Sequence, residues 1–163
     1  MSDLADLIRI HSERLHVNVE TAMRNLLLFS TIVGIMENDG RLTGKSPLSS
    51  ARGLYQYVED SVIPAINRLS KYIGERAWMK PLRVSRDTST LSREHQTLLF
   101  LGDILEKDGS DKYMKPIMET GDRREMLKAY YRLHHTAPDS ATISRAERVF
   151  YGTYNNYDRG LTV

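Results

Sequence analysis

Apolar residues recur at three- and four-residue steps along most of this chain, and that spacing predicts helices. Leu4, Leu7, Ile8 and Leu15 mark one face of an amphipathic opening helix over 3–15. Asn18 is placed to cap the next helix, because its short side chain can accept a hydrogen bond from an amide left free in the first turn. Ala22, Met23, Leu26, Phe29, Ile32, Val33 and Met36 then follow at helical steps, which predicts a largely buried helix. Asn38-Asp39-Gly40 stops it. Residues 38–52 are rich in Gly, Ser, Pro and Thr and read as an ordered loop, closely flanked by apolar helices. Helix returns over 53–73, with a kink expected before Pro64. Residues 79–92 read as a second polar loop. Ser92 caps a helix running to 107, which Asp108-Gly109 ends. A short helix near 111–119, limited by Pro116, follows. The pattern closes with a helix over 123–135 capped by Asp122 and a last one over 141–151 capped by Ser140. The Tyr-rich tail from Thr153 to Gly160 is polar. No repeat and no strand pair stands out. The expected fold class is all-α, in one domain over 1–163, with 1–17 and 152–163 peripheral to it.

Composition adds limits. A chain of 163 residues, 40% of them apolar, can bury one sizeable core. Its net charge of +2, from 23 basic and 21 acidic side chains, supplies no basic face for nucleic acid. The basic residues Lys71, Arg76, Lys80, Arg83, Arg86 and Arg93 nevertheless meet only Glu75 and Asp87 in their stretch. They read either as a solvated surface or as a positive rim for an anionic polymer. With no cysteine, disulfides and thiolate metal sites are excluded, and a reducing compartment fits. Met1 to Asp6 lack a basic leader, so no signal peptide is expected. The stretch Leu26 to Met36, broken by Ser30, Thr31 and Gly34, is too short to span a bilayer, so no membrane insertion is expected.

The candidate chemistry centres on Glu37, one turn beyond a buried stripe. A carboxyl there loses hydration, and lost hydration disfavours its charged form. The expectation is a raised pKa and a proton kept near neutral pH, which is what a group needs in order to protonate a glycosidic oxygen. Asp39 is the nearest second acid and Asp60 a distant one; Asp39 reads mainly as a turn former. Tyr72 and Trp78 read as core aromatics before they read as sugar platforms. Adjacent His134 and His135 fall on different faces of a regular helix, and no HExxH pattern accompanies them, so no metal or other cofactor is expected.

The helix ending in Glu37, then Ser46 in a polar loop, then Ser50-Ala51-Arg52-Gly53-Leu54-Tyr55-Gln56, resembles the soluble lytic transglycosylases, which share the goose-type lysozyme architecture. That family carries Glu-Ser, a loop, then Ser-x-x-Gly-Ala-x-Gly-Leu-Met-Gln. Asn38, Ser50 and Tyr55 depart from it. A second block, Tyr131-Arg132-Leu133-His134-His135-Thr136-Ala137-Pro138-Asp139-Ser140-Ala141, resembles the phage branch, with Tyr131 and His134 in place and Ala137, Asp139 and Ser140 where glycine is usual. The resemblance covers residues 18–150. It implies a lysozyme-like domain with a substrate cleft, Glu37 as the single acid and base, and Ser46, Gln56, Tyr131 and His134 lining the cleft. The implied reaction is cleavage of the MurNAc-β-1,4-GlcNAc bond of peptidoglycan, giving a 1,6-anhydro product without added water. Alternatives are a hydrolytic muramidase of the same fold and a non-catalytic virion structural protein. Glycan strands are the implied partner, with virion proteins as further ones. The implied setting is a bacteriophage enzyme, carried in the virion or made in the host cytoplasm as an endolysin, acting on the periplasmic cell wall.

Overall fold

Side-chain caps fix where the helices begin. In the computed structural model, which describes residues 2–44 and 49–152, Ser2 accepts the Ala5 amide at 3.1 Å and opens α1 (Asp3–Leu15). Asn18 accepts the Thr21 amide at 3.0 Å and opens α2 (Val19–Asn38), as the sequence predicts. Helices α3 (Glu59–Ile73), α4 (Met79–Ser85), α5 (Arg93–Lys107), α6 (Met114–Thr120), α7 (Arg123–Ala129) and α8 (Ser140–Gly152) follow. The described residues are all-helical apart from turns and one isolated antiparallel bridge between Arg52 and Tyr57.

Three boundaries differ from expectation. The helix expected from 53 begins at Glu59, whose amide is received by the Ser50 hydroxyl at 3.0 Å, and α3 then runs through Pro64. The loop expected over 79–92 holds α4 and a 3-10 turn at Thr88–Thr90. Pro81 falls in the first turn of α4, where its missing N–H costs no helical hydrogen bond, and buried Met79 and Leu82 anchor the helix. The cap of α8 is Asp139, not Ser140: its carboxylate accepts the Thr142 amide at 2.8 Å.

α2 is apolar nearly all round, the mark of a core helix. Leu26, Phe29, Ile32 and Val33 are fully buried, and α1, α5, α6 and α8 pack around it. By length and composition alone α2 could cross a bilayer, so the shorter stretch weighed in the sequence underestimates it; here its apolar faces are spent on the core. The opening helix is not peripheral either. α1 buries Leu7, Ile8, His11, Ser12 and Leu15 against α2, α3 and α5. Helices α3 and α5 meet most extensively. Gly102 makes that approach possible, since a Cβ there would sit 3.1 Å from the Leu69 Cα. The tail from Thr153 lies outside the described residues.

Candidate active site

Glu37 occupies the last turn of α2, and its side chain is 14% exposed. It borders a cavity of about 490 Å³ whose other walls include Gln56, Tyr57, Lys107, His134 and His135. The wall around Gln56 is a tight turn. Arg52 and Tyr57 exchange backbone hydrogen bonds at 3.0 Å in both directions, and Gly53 takes φ +80° to close the loop between them. Gln56, itself at φ +53°, donates its amide to the Gly53 carbonyl at 2.8 Å. Buried Gln96 of α5 fastens the turn. Its carbonyl oxygen accepts the Leu54 amide at 2.7 Å, and its NH2 donates to Leu42 and Leu91 carbonyls, each at 3.0 Å.

The opposite wall comes from a widened helical turn. After α7 the backbone runs Tyr130–His134 as a π-helical turn, and the His135 amide reaches back five residues to the Tyr130 carbonyl at 2.8 Å. Such one-turn expansions recur at functional sites. Adjacent residues of a regular α-helix diverge by about 100°. The widened turn instead sets both His134 and His135 beside the Tyr130 ring, at 6.1 and 5.9 Å between centroids.

The resemblance therefore misassigns one residue. Tyr130, not Tyr131, meets the acid: its buried hydroxyl donates to Glu37 Oε1. Tyr131 lines a separate surface pocket with Lys112, Tyr113, Lys128 and Arg132. The offset is one residue, and periodicity could not reveal it because the helix changes pitch there. Gln56 and His134 do share the cavity with Glu37. Ser46 lies outside the described residues.

His134 donates from Nε2 to the Tyr55 carbonyl at 2.8 Å and stands edge-on to Phe100. Burial holds its pKa down and keeps it neutral, despite the opposing pull of the Glu37 charge. His135, noticed in the sequence only as a metal candidate, lies with Nδ1 3.8 Å from Glu37 Oε1 and 3.4 Å from the Tyr130 hydroxyl. Its contact with Glu37 raises its pKa above the ordinary histidine value, against the effect of burial. Tyr130 is pushed up by burial, then by the Glu37 charge and hydrogen bond, and so keeps its proton.

The Glu37 carboxyl itself departs from expectation. Burial pushes its pKa up, as the sequence suggests. The His135 contact, the His134 ring and the Tyr130 hydroxyl together pull harder, and the carboxyl settles below its usual range. Of these, the Tyr130 hydrogen bond acts whatever the charge on the histidines, whereas each ring pulls most when protonated. The resting site is thus a carboxylate beside a histidine whose hold on its proton that carboxylate strengthens, not a stored carboxylic acid.

The other candidates fall elsewhere. Asp39 caps α2 at φ +52°, pairs with Arg145 at 3.1 Å, and borders a different pocket with Leu27, Thr31 and Ile35. Asn38 does not touch the acid; it donates to the Arg41 and Thr43 carbonyls and pins the loop. Tyr55 stacks on Phe100 with ring centroids 4.3 Å apart, so it packs the core. Trp78 stacks on His95, and Tyr72 packs against His11. Half of the basic stretch is held in ion pairs: Lys71, Arg76 and Arg83 pair with Glu106, Asp3 and Glu75. Among the described residues no cluster of three or more His, Asp or Glu could hold a metal ion.

Set against known proteins, the chain matches no family model, no curated protein and no solved structure.

Proposed function

We propose that this protein is a lysozyme-like glycosidase of bacterial peptidoglycan, with Glu37 as acid and base, acting as a lytic transglycosylase in a bacteriophage context. The observation that carries the reading is Glu37 itself: a largely buried carboxylate in the wall of an open polar cavity, held by a tyrosine hydroxyl. It is the one carboxylate among that cavity's described lining residues. Two-carboxylate glycosidases need a second acid flanking the scissile bond, and Asp39 points to another pocket. A single-acid route is therefore favoured over hydrolysis.

In that route the protonated Glu37 donates to the glycosidic oxygen, and the C1–O bond breaks toward the leaving sugar. The C6 hydroxyl of the same muramic acid attacks C1 and closes the 1,6-anhydro ring. Its proton returns to the Glu37 carboxylate, so no water enters the product. Gln56 and His134 border the strand, and Lys107 adds an ammonium to the same cavity.

The test uses purified protein on isolated peptidoglycan. Mass spectrometry is expected to find muropeptides lighter by one water than a muramidase would release. Glu37→Gln is expected to lower the rate by about 10²–10⁴-fold, the usual contribution of a general acid. Products carrying the added water select the muramidase. An inert wild-type protein selects a non-catalytic role.

A further inference from the structure

We infer that His135 holds the proton that Glu37 donates, and that the Tyr130 hydroxyl bridges the two. This rests on the glycosidase reading of the site and supplies what that reading lacks. A carboxylate cannot protonate a leaving oxygen, so the resting site needs a proton source within reach. Three atoms form a closed triangle: Tyr130 Oη donates to Glu37 Oε1, His135 Nδ1 lies 3.4 Å from Tyr130 Oη, and His135 Nδ1 lies 3.8 Å from Glu37 Oε1. Tyr130 Oη donates on one side and can accept from an Nδ1–H on the other. His134 cannot take this part, because its Nε2 proton is committed to the Tyr55 carbonyl.

The surroundings favour one shared proton. Glu37 faces the cluster from α2, and Asp139 adds negative charge beside His135 from the loop before α8. Arg145 of α8 sends positive charge toward Tyr130 while binding the Ile35 and Met36 carbonyls. Lys107 and Asp103 of α5 act on His134 with opposite signs. With water in the cavity, the carboxylate–imidazolium form is hydrated. A strand that fills the cavity strips that water, and lost hydration favours the neutral pair. The Nδ1 proton passes to Tyr130 Oη as the Tyr130 proton passes to Glu37 Oε1. The result is neutral His135, intact Tyr130 and a carboxylic acid facing the glycosidic oxygen. After the C6 hydroxyl proton returns to Glu37, the reverse shift restores the resting pair, so no proton is lost per turnover.

The experiment has two readouts. The first is NMR titration of the His135 ring in the wild type and in Glu37→Gln. The midpoint is expected to fall in the variant, because the Glu37 charge and contact that raise it are gone. An unmoved midpoint overturns the shared proton. The second is the pH–rate profile of His135→Gln on isolated peptidoglycan. Loss of the proton store is expected to cut the rate about tenfold or more at pH 7.5 while leaving it within about threefold at pH 5, where Glu37 takes its proton from solvent. Equal loss at every pH, the mark of a merely structural histidine, overturns the inference. The glycosidase reading fails separately: Glu37→Gln would still cleave the wall even though the His135 midpoint had moved.

Discussion

At the scale of single residues, the buried Glu37 carboxylate was legible in the sequence and its partners were not. Glu37 announces itself because a run of core positions ends on a carboxylate. Tyr130 and His135 stay hidden because reading a helix from spacing assumes a constant pitch, and the pitch changes where they stand. Gln96 was hidden for another reason. It looks like one more polar position on α5, yet it is 1% exposed and its bonds reach Leu42 and Leu54, far away in sequence. Gln96→Ala would strand the buried Leu54 amide and loosen the turn that carries Gln56. An unpaired buried group costs about 1–3 kcal/mol. Urea unfolding is expected to show a loss in that range, and, on the proposed glycosidase reading, binding of a glycan fragment should weaken in parallel. Gln96→Glu, which keeps the acceptor for Leu54, is expected to recover part of the turn but not the two donated bonds.

At the scale of elements, the sequence located α1 well by its apolar spacing, and α2 and α5 because each begins on a capping side chain. Ser92 accepts the His95 amide at 3.2 Å, and α5 starts where that cap says it should. It failed on α4, where Pro81 and neighbouring Ser and Thr resemble a loop although a first-turn proline is compatible with helix. Nor could it show which helices touch. The α3–α5 contact depends on Gly102, whose Cβ position is already occupied: Leu69 Cβ lies 2.9 Å from it and Leu69 Cα 3.1 Å. The backbone atom cannot rotate away, so Gly102→Ala must push the helices apart. Overpacking of this kind costs about 1–3 kcal/mol. Chemical denaturation should register that loss even though alanine is the better helix former. An unchanged or raised midpoint would mean that α3 and α5 are less tightly joined than described.

At the scale of the whole molecule, one buried histidine ties stability to pH. His11 is fully buried, accepts from Arg14 at 2.9 Å, and packs against Tyr72. Burial first, and then the Arg14 charge, lower its pKa from 6.5 to about 4. The folded chain keeps it neutral while the unfolded chain protonates it below 6.5, so the unfolded state binds the extra proton. The stability that neutral His11 contributes is therefore complete above pH 6.5, falls as pH drops toward 4, and is level below that. The difference amounts to about 3 kcal/mol. Thermal melts between pH 7 and 4 should show this slope, and His11→Phe, which keeps a flat ring beside Tyr72, should remove that part of it. The cavity beside Glu37 has a consequence of a different kind. Its volume of about 490 Å³ corresponds to on the order of fifteen molecules of liquid water. Any polymer that lies there must first send that liquid back to bulk. Its hold on the protein accordingly tightens under osmotic pressure: a crowding solute too large to enter and excluded from the surface draws the cavity dry, doing from outside part of the strand's own work.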